Sequence, residues 1–299
     1  MRLVAVRIGA GVPTEPFSGR VRSVFVNSAI LKIANRLVTL APAAAGGLPG
    51  AITVDVPRGF DFARFLPASG AAAARGGVLR FAGNDASLDL RGANPWRSRL
   101  NELALDFARP ATASGWRTAA AALRADGRSN AIARLGHGAM AELSEATRRF
   151  ELQAAGQAAE RLVGLGAGGT PAGDDLLVGY LAGLWTSVGS DRPRAGFAAG
   201  LADLVRGLGE RTNDLSRVYL EAAADGEVSE RLADVGRSIA AGQALTTVAT
   251  TSAAAIAVGH SSGADGMLGL LLGLAVWAPA AIFSDSRRLV EETSRAEFG

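Results

Sequence analysis

Short stretches of alternating apolar and polar positions run through the first third of the chain. Ile52, Val54 and Val56 alternate with Thr53 and Asp55, and Leu88 and Leu90 alternate with Ser87, Asp89 and Arg91. A period of two puts one set of side chains on each face of a strand. Similar runs cover 2–8, 21–27, 36–41 and 77–82, with turn residues such as Gly46-Gly47 and Pro57-Arg58-Gly59 between runs. Several short strands with no long helix among them predict an antiparallel sheet or a small β-barrel.

From Trp96 the spacing of apolar residues changes to three and four, as in Leu100, Leu103, Ala104 and Phe107. This is the period of an amphipathic helix. It predicts helices over 96–109, 112–125, 139–163, 171–188, 194–208, 210–224, 228–241, 243–257 and 264–282. The fold class that follows is α+β: an N-terminal antiparallel sheet or small β-barrel, then a glycine-rich, mainly α-helical domain. Ala93-Asn94-Pro95 marks the junction, giving a strand-rich domain over 1–95 and a helical domain over 96–299. The apolar run from Gly266 to Phe283 approaches the length of a short membrane span. Asp265 at its start, Pro279 within it, and Gly269 and Gly273 on one face favour a buried core helix.

Two of the predicted helices begin alike. Gly173-Asp174-Asp175-Leu176-Leu177-Val178-Gly179-Tyr180-Leu181-Ala182-Gly183-Leu184 overlays Gly263-Ala264-Asp265-Gly266-Met267-Leu268-Gly269-Leu270-Leu271-Leu272-Gly273-Leu274 without a gap. The shared pattern is G-x-D-x-x-x-G-x-x-x-G-L. An aspartate with glycines four and eight residues later lies along one helical face. Glycine within a helix costs about 1 kcal/mol relative to alanine, so the repeated glycines imply a close backbone approach. The expectation is that the two helices cross through their glycine faces, bringing Asp175 and Asp265 to a shared mouth.

Composition narrows the chemistry. There are no cysteines, which removes disulfides, zinc–thiolate sites and thiol catalysis. With only His137 and His260, a histidine-rich metal site is not expected. The basic residues are all arginine except Lys32. They form no stripe interleaved with aromatics, so nucleic acid is not an expected partner; with the apolar run from Gly266 read as a core helix, neither is a membrane. The start of the chain alternates rather than carrying an apolar run, so no signal peptide is expected and the expected location is cytoplasmic.

The turns before the paired helices carry the candidate chemistry. Residues 164–169 fit G-x-G-x-x-G, but the segment before them is helical rather than a strand, and no lysine follows. A dinucleotide site and a P-loop are therefore both rejected. What survives is a turn whose backbone N–H groups can face one concavity at a helix start, where the helix dipole favours anions. Thr170 is read as the N-cap, with Pro171 at the first helical position. Gly166, Gly168, Gly169, Thr170, Gly173 and Asp174 in the first turn, and Ser261, Ser262 and Gly263 in the second, are the candidate substrate- or anion-binding residues. Asp174 serves equally well as a dipole-compensating acid in the first helical turn. Asp175, Asp265 and His260 are the catalytic candidates, and His260 also suits a cap. At the start of another helix Arg211 can add a bidentate anion contact, and Thr212, Asn213 and Ser216 a polar wall. No cofactor is expected; a divalent cation bridging to phosphate is left open, with its ligands unassigned.

Gly164-Leu165-Gly166-Ala167-Gly168-Gly169-Thr170-Pro171-Ala172-Gly173-Asp174-Asp175, the Arg211-Thr212 helix start and Gly259-His260-Ser261-Ser262-Gly263-Ala264-Asp265 together resemble the AllH-like subunit of oxamate carbamoyltransferase. The resemblance spans roughly 130–280. Ala167 and Gly169 stand where it would place a proline and a larger apolar residue. It implies an enzyme built from three different subunits, hence two other subunit types as partners. The implied reaction interconverts oxalurate plus phosphate with oxamate plus carbamoyl phosphate, a step of anaerobic allantoin breakdown and so of purine catabolism. The substrate expected on this chain is a small anion: carbamoyl phosphate, phosphate or an oxamate-like acid. Two other readings stand beside a carbamoyltransferase subunit. One is a non-catalytic structural or regulatory subunit whose glycine-rich helices serve packing; the other is a free-standing hydrolase.

Overall fold

The computed structural model describes residues 2–13, 15–83, 85–127, 132 and 135–295. The chain forms two compact units, Met1–Arg97 and Ser98–Gly299.

The first unit is a β-barrel. Its strands are β1 (Arg2–Gly9), β2 (Phe17–Val24), β3 (Ala29–Ile33), β4 (Arg36–Pro42), β5 (Ala51–Val54), β6 (Gly70–Arg75), β7 (Val78–Phe81), β8 (Ser87–Asp89) and β9 (Asn94–Trp96), with one turn of helix, α1 (Phe62–Phe65), between β5 and β6. Eight strands run in the order β5-β4-β3-β2-β6-β7-β8-β1, and β1 returns to pair with β5, closing the ring. Closure leaves no long unpaired edge. Most neighbours are antiparallel, but β1–β8, β1–β9 and β4–β5 are parallel, so the barrel is mixed rather than purely antiparallel. Register shifts in β1 and β2 mark bulges that help a small sheet curl. Leu31, Leu40, Ile52, Val54, Phe62, Leu79 and Leu88 fill the interior.

Two strands carry no clear alternation in the sequence. β3 lies in an apolar run. β6 is built on Ala71–Ala74, a composition with poor strand propensity. It is held by its partners: Ala74 pairs with Phe17 and Ala72 with Phe81, so the large rings come from neighbouring strands and alanine leaves them room.

The second unit is helical: α2 (Pro110–Ala125), α3 (His137–Arg148), α4 (Leu152–Leu162), α5 (Ala172–Ser187), α6 (Arg192–Gly207), α7 (Asp214–Ala224), α8 (Glu230–Ala240), α9 (Leu245–Ile256), α10 (Ser262–Ala275) and α11 (Ala280–Arg295). Three sequence expectations change. The segment 96–109 is not an α-helix: β9 ends at Trp96 and a single 3-10 turn covers Leu100–Glu102. Ser98 there is fully buried. Its N–H donates to Glu227 Oε2 (2.7 Å) and its hydroxyl to the Gly226 carbonyl (2.7 Å), and these tertiary bonds replace helical ones. The predicted helix over 139–163 divides into α3 and α4 at Phe150, whose φ of 59° is left-handed. Its ring stacks on Trp277 (5.6 Å) and meets the Phe197 edge (5.8 Å); ring packing holds a backbone conformation that costs energy elsewhere. The run from Gly266 divides at Pro279 into α10 and α11, and among the described residues no helix is long and apolar enough to cross a membrane.

α5 and α10 form the centre. From Gly263 to Ala275 every residue of α10 is buried, and α5 is buried almost throughout. A helix that is apolar all round must be enclosed on all sides. α2, α8, α9 and α11 pack on α10, while α4, α6, α7 and α8 pack on α5. Two large buried side chains find partners for their polar tips: the Trp116 indole donates to the Leu271 carbonyl (3.0 Å) and the Tyr180 hydroxyl to Thr147 Oγ1 (2.8 Å).

Candidate functional site

Glycine lets α5 and α10 touch backbone to backbone. A Cβ at Gly179 would lie 1.9 Å from the Gly266 carbonyl oxygen, and one at Gly269 would lie 2.0 Å from that of Leu176. One turn on, a Cβ at Gly183 would lie 2.5 Å from Leu270 O, and one at Gly273 2.3 Å from Tyr180 O. Each glycine thus faces the carbonyl three residues before its counterpart in the other helix. The contacts advance together along both helices, so the helices run in the same direction and are related by a local pseudo-two-fold. Both N-termini therefore open at the same end. The opposite ends meet cations: Arg194 donates to the Ser187 carbonyl (3.5 Å), and Arg148 to those of Val276 (3.0 Å) and Ala278 (3.3 Å), as helix C-termini favour.

The first turn folds largely on itself. Gly164, Gly166 and Gly168 have φ of 74°, 108° and 112°, values that side chains tolerate poorly. The Gly164 N–H donates to Asp174 Oδ1 (2.8 Å), and the Gly173 N–H to the Leu165 carbonyl (2.8 Å). The Thr212 hydroxyl donates to Asp174 Oδ2, and Asn213 Nδ2 donates to the Gly169 carbonyl (3.1 Å). Asp174 is buried, and both its oxygens are occupied. Ala167, Gly168 and Gly169 are exposed.

The helix start also differs by a residue from its sequence reading. The Pro171 carbonyl accepts the first helical bonds and α5 begins at Ala172, so Thr170 is not the N-cap. Its hydroxyl goes instead to Asp175 Oδ2 (2.9 Å), and it also lies 2.9 Å from Ser262 Oγ at the start of α10. This contact ties the two turns together.

Asp175 and Asp265 occupy the same position in their helices, in the first turn. Asp175 is half-buried, whereas Asp265 is fully buried and neither of its oxygens has a hydrogen-bond partner. Burial pushes the Asp175 carboxyl up to about 7; the Thr170 and Ser262 hydroxyls pull against this, and the Asp174 charge adds to it. Burial likewise pushes Asp265 up to about 7, with the charge of Asp175 adding to the shift and the nearby Ser261 hydroxyl opposing it. Like charges this close resist ionising together.

The other sequence candidates lie around this centre in different ways. Gly173 and Gly263 are packing positions: a Cβ on Gly173 would lie 1.9 Å from Leu162 O, and one on Gly263 2.2 Å from Ala255 O. Arg211 is exposed, with its guanidinium bonded to Glu160. His260 is exposed on the second turn, beside half-buried Ser261 and Ser262. Tyr219 was not among the sequence candidates. Burial, and then the Asp175 charge, hold its phenol above its ordinary range. Ser216, three residues earlier on the same face of α7, has a buried hydroxyl without a partner. The sequence pointed here through Ser216, read as part of a polar wall after the Arg211–Thr212 turn.

The family model described as oxamate carbamoyltransferase subunit AllH matches residues 162–274. This stretch is AllH-like. The AllH-like stretch is less than half of the chain, but it holds both turns, α5, α10 and both carboxylates of the pair. No curated protein and no solved structure matches the chain.

Proposed function

We propose that the chain is a subunit of a carbamoyltransferase-type enzyme, working on oxamate or oxalurate and carbamoyl phosphate, and that it supplies a small-anion site at the paired N-termini of α5 and α10. The observation that carries this reading is the Thr170–Ser262 contact, which joins two parallel helix starts over the half-buried Asp175. Carbamoyl transfer needs a phosphate held as it departs, charge stabilised on the carbonyl oxygen, and an amide nucleophile held in line. The exposed backbone donors of Gly168 and Gly169, with that of Gly166 beside them, suit the phosphate, and the Ser261 and Ser262 hydroxyls extend the polar wall. Asp175 suits an amide N–H. A raised carboxyl pKa removes the objection that two aspartates would repel an anion, because the pair need not carry two charges at neutral pH. Arg211 joins only by exchanging Glu160 for the ligand, and His260 from the exposed second turn. Among the described residues no three acidic or histidine side chains gather into a metal-holding group, so a divalent cation enters this reading as a companion of bound phosphate.

A structural or regulatory subunit is the competing reading. It is favoured by the packing positions of Gly173 and Gly263 and by the Arg211–Glu160 pair. Calorimetric titration with phosphate, carbamoyl phosphate and oxamate separates the two, using the chain alone and assembled with its partner subunits. Gly169 has open space at its Cβ position, so Gly169→Val should preserve the fold while shielding the turn's donors. Binding that Gly169→Val abolishes supports the anion site. Absence of binding in both the chain and the assembly favours the scaffold.

A further inference from the structure

The two carboxylates occupy equivalent places, yet their surroundings differ. Asp175 is half-buried and accepts from Thr170 Oγ1 at 2.9 Å. In the 2.9 Å contact between Thr170 and Ser262 either hydroxyl can donate, and both hydroxyls lower the Asp175 carboxyl pKa. The Thr170 and Ser262 hydroxyls thus both serve one carboxylate of the pair. Asp265 has the Ser261 hydroxyl nearby, outside hydrogen-bond geometry. Both its oxygens are buried without a partner, the most costly setting for a charge and a tolerable one for a neutral acid.

We infer that Asp175 and Asp265 work as one proton-sharing pair, in which Asp265 is the inner, proton-holding positioning residue and Asp175 is the outer carboxylate that meets the ligand. The groups facing the pair agree with this division. From its own helix Asp175 faces Asp174, whose oxygens are already taken by Gly164 and Thr212. From the turn it faces Thr170, from α10 Ser262 and Asp265, and from α7 the Tyr219 phenol. Asp265 faces Asp175 and the Ser261 hydroxyl, while Leu232 of α8 packs beside Gly266 at its back. Among the described residues no ion pair reaches either carboxylate. One charge on the pair then lies on Asp175, stabilised by the Thr170 and Ser262 hydroxyls, and the second ionisation is opposed by the first.

The division has a consequence for ligand choice, which rests on the proposed function. An ionised outer carboxylate accepts an N–H and repels an anion. The carboxamide end of an oxamate-like or carbamoyl ligand thus belongs at Asp175, and its anionic end at the backbone donors of 166–169.

The test is a carboxyl-carbon NMR titration of aspartate-labelled full-length chain, without ligand, in the parent and in Asp265→Asn. In the parent, Asp265 should hold its proton well above the ordinary carboxylate range and the pair should lose its protons in two steps. In Asp265→Asn, a neutral amide replaces a neutral acid, and Asp175 should titrate in one step about one pH unit or more below the upper step of the pair. Asp265 ionising in the ordinary carboxylate range, or an upper titration step that persists in Asp265→Asn, overturns the inference. Should Asp265→Asn not fold, Thr170→Val decides: Asp175 must titrate higher without the Thr170 donor, and an unmoved Asp175 overturns the inference. Because no ligand is present, a failed anion titration would count against the proposed function alone.

Discussion

Thr170 and Ser262, ninety-two residues apart in the chain, meet hydroxyl to hydroxyl at 2.9 Å. The contact exists because α5 and α10 run in the same direction and start together, so each N-terminal turn supplies one oxygen. Thr170→Val keeps the shape and removes the link, leaving Asp175 without the Thr170 donor and Ser262 without its hydroxyl partner. The expected loss of stability is about 1–2 kcal/mol, read from the urea midpoint. Phosphate affinity should fall with it; unchanged affinity would separate the link from any anion site.

Much of this arrangement was legible in the sequence. The matching aspartates and glycines of 173–184 and 263–274 correctly announced a close crossing, because few needs other than backbone contact tolerate repeated glycine in a helix. The strand character before residue 95 followed from alternation at Ile52 and Leu88. The closure of the barrel by β1 on β5 did not, since pairing between distant strands leaves no local periodicity. Ser98 and Phe150 misled for a related reason. At Ser98 a bond to Glu227, and at Phe150 stacking on Trp277, overrode the helical period around them. Within the site, the sequence could name Asp175 and Asp265 together but could not separate them; one threonine hydroxyl and the depth of burial distinguish them.

The glycine crossing makes a sharp contrast among Gly→Ala substitutions. At Gly179 or Gly269 the new Cβ would lie 1.9 or 2.0 Å from a backbone oxygen of the other helix. A backbone cannot rotate away as a side chain can, so the helices must part. Each substitution should cost about 3 kcal/mol or more. Gly196, exposed in α6, has nothing near its Cβ position, and Gly196→Ala should stabilise by about 0.5–1 kcal/mol. Denaturant midpoints of the three variants check the order. A harmless Gly269→Ala would be inconsistent with direct backbone contact.

Asp174 has a different task from its neighbour Asp175. Its buried carboxylate accepts from the Gly164 N–H and the Thr212 hydroxyl, fastening the glycine turn to the start of α7. Asp174→Ala strands both donors and should cost about 2–3 kcal/mol. Amide hydrogen exchange should accelerate at Gly164 before it does so in α5. Exchange at Gly164 unchanged from the parent would contradict this fastening role.

The buried acid at Asp265 gives the fold a dependence on pH whose sign is fixed. Its folded carboxyl is raised to about 7 from 3.8, chiefly by burial. Between those values the native state holds a proton that the unfolded chain has released. Stability is then full below the unfolded pKa and is lost as pH rises through the folded one. The limiting slope is about 1.4 kcal/mol per pH unit for each such proton. Asp175, raised in the same direction, adds to the trend, but its partial exposure to solvent reduces its share. The chain should therefore be more resistant to urea at pH 5 than at pH 7. Asp265→Asn carries no ionisable group at this position and should flatten that decline, most visibly between the unfolded and the folded pKa. Urea midpoints measured from pH 4.5 to 8 for both proteins decide the matter. Parallel curves would mean that Asp265 takes no part in the fall of stability.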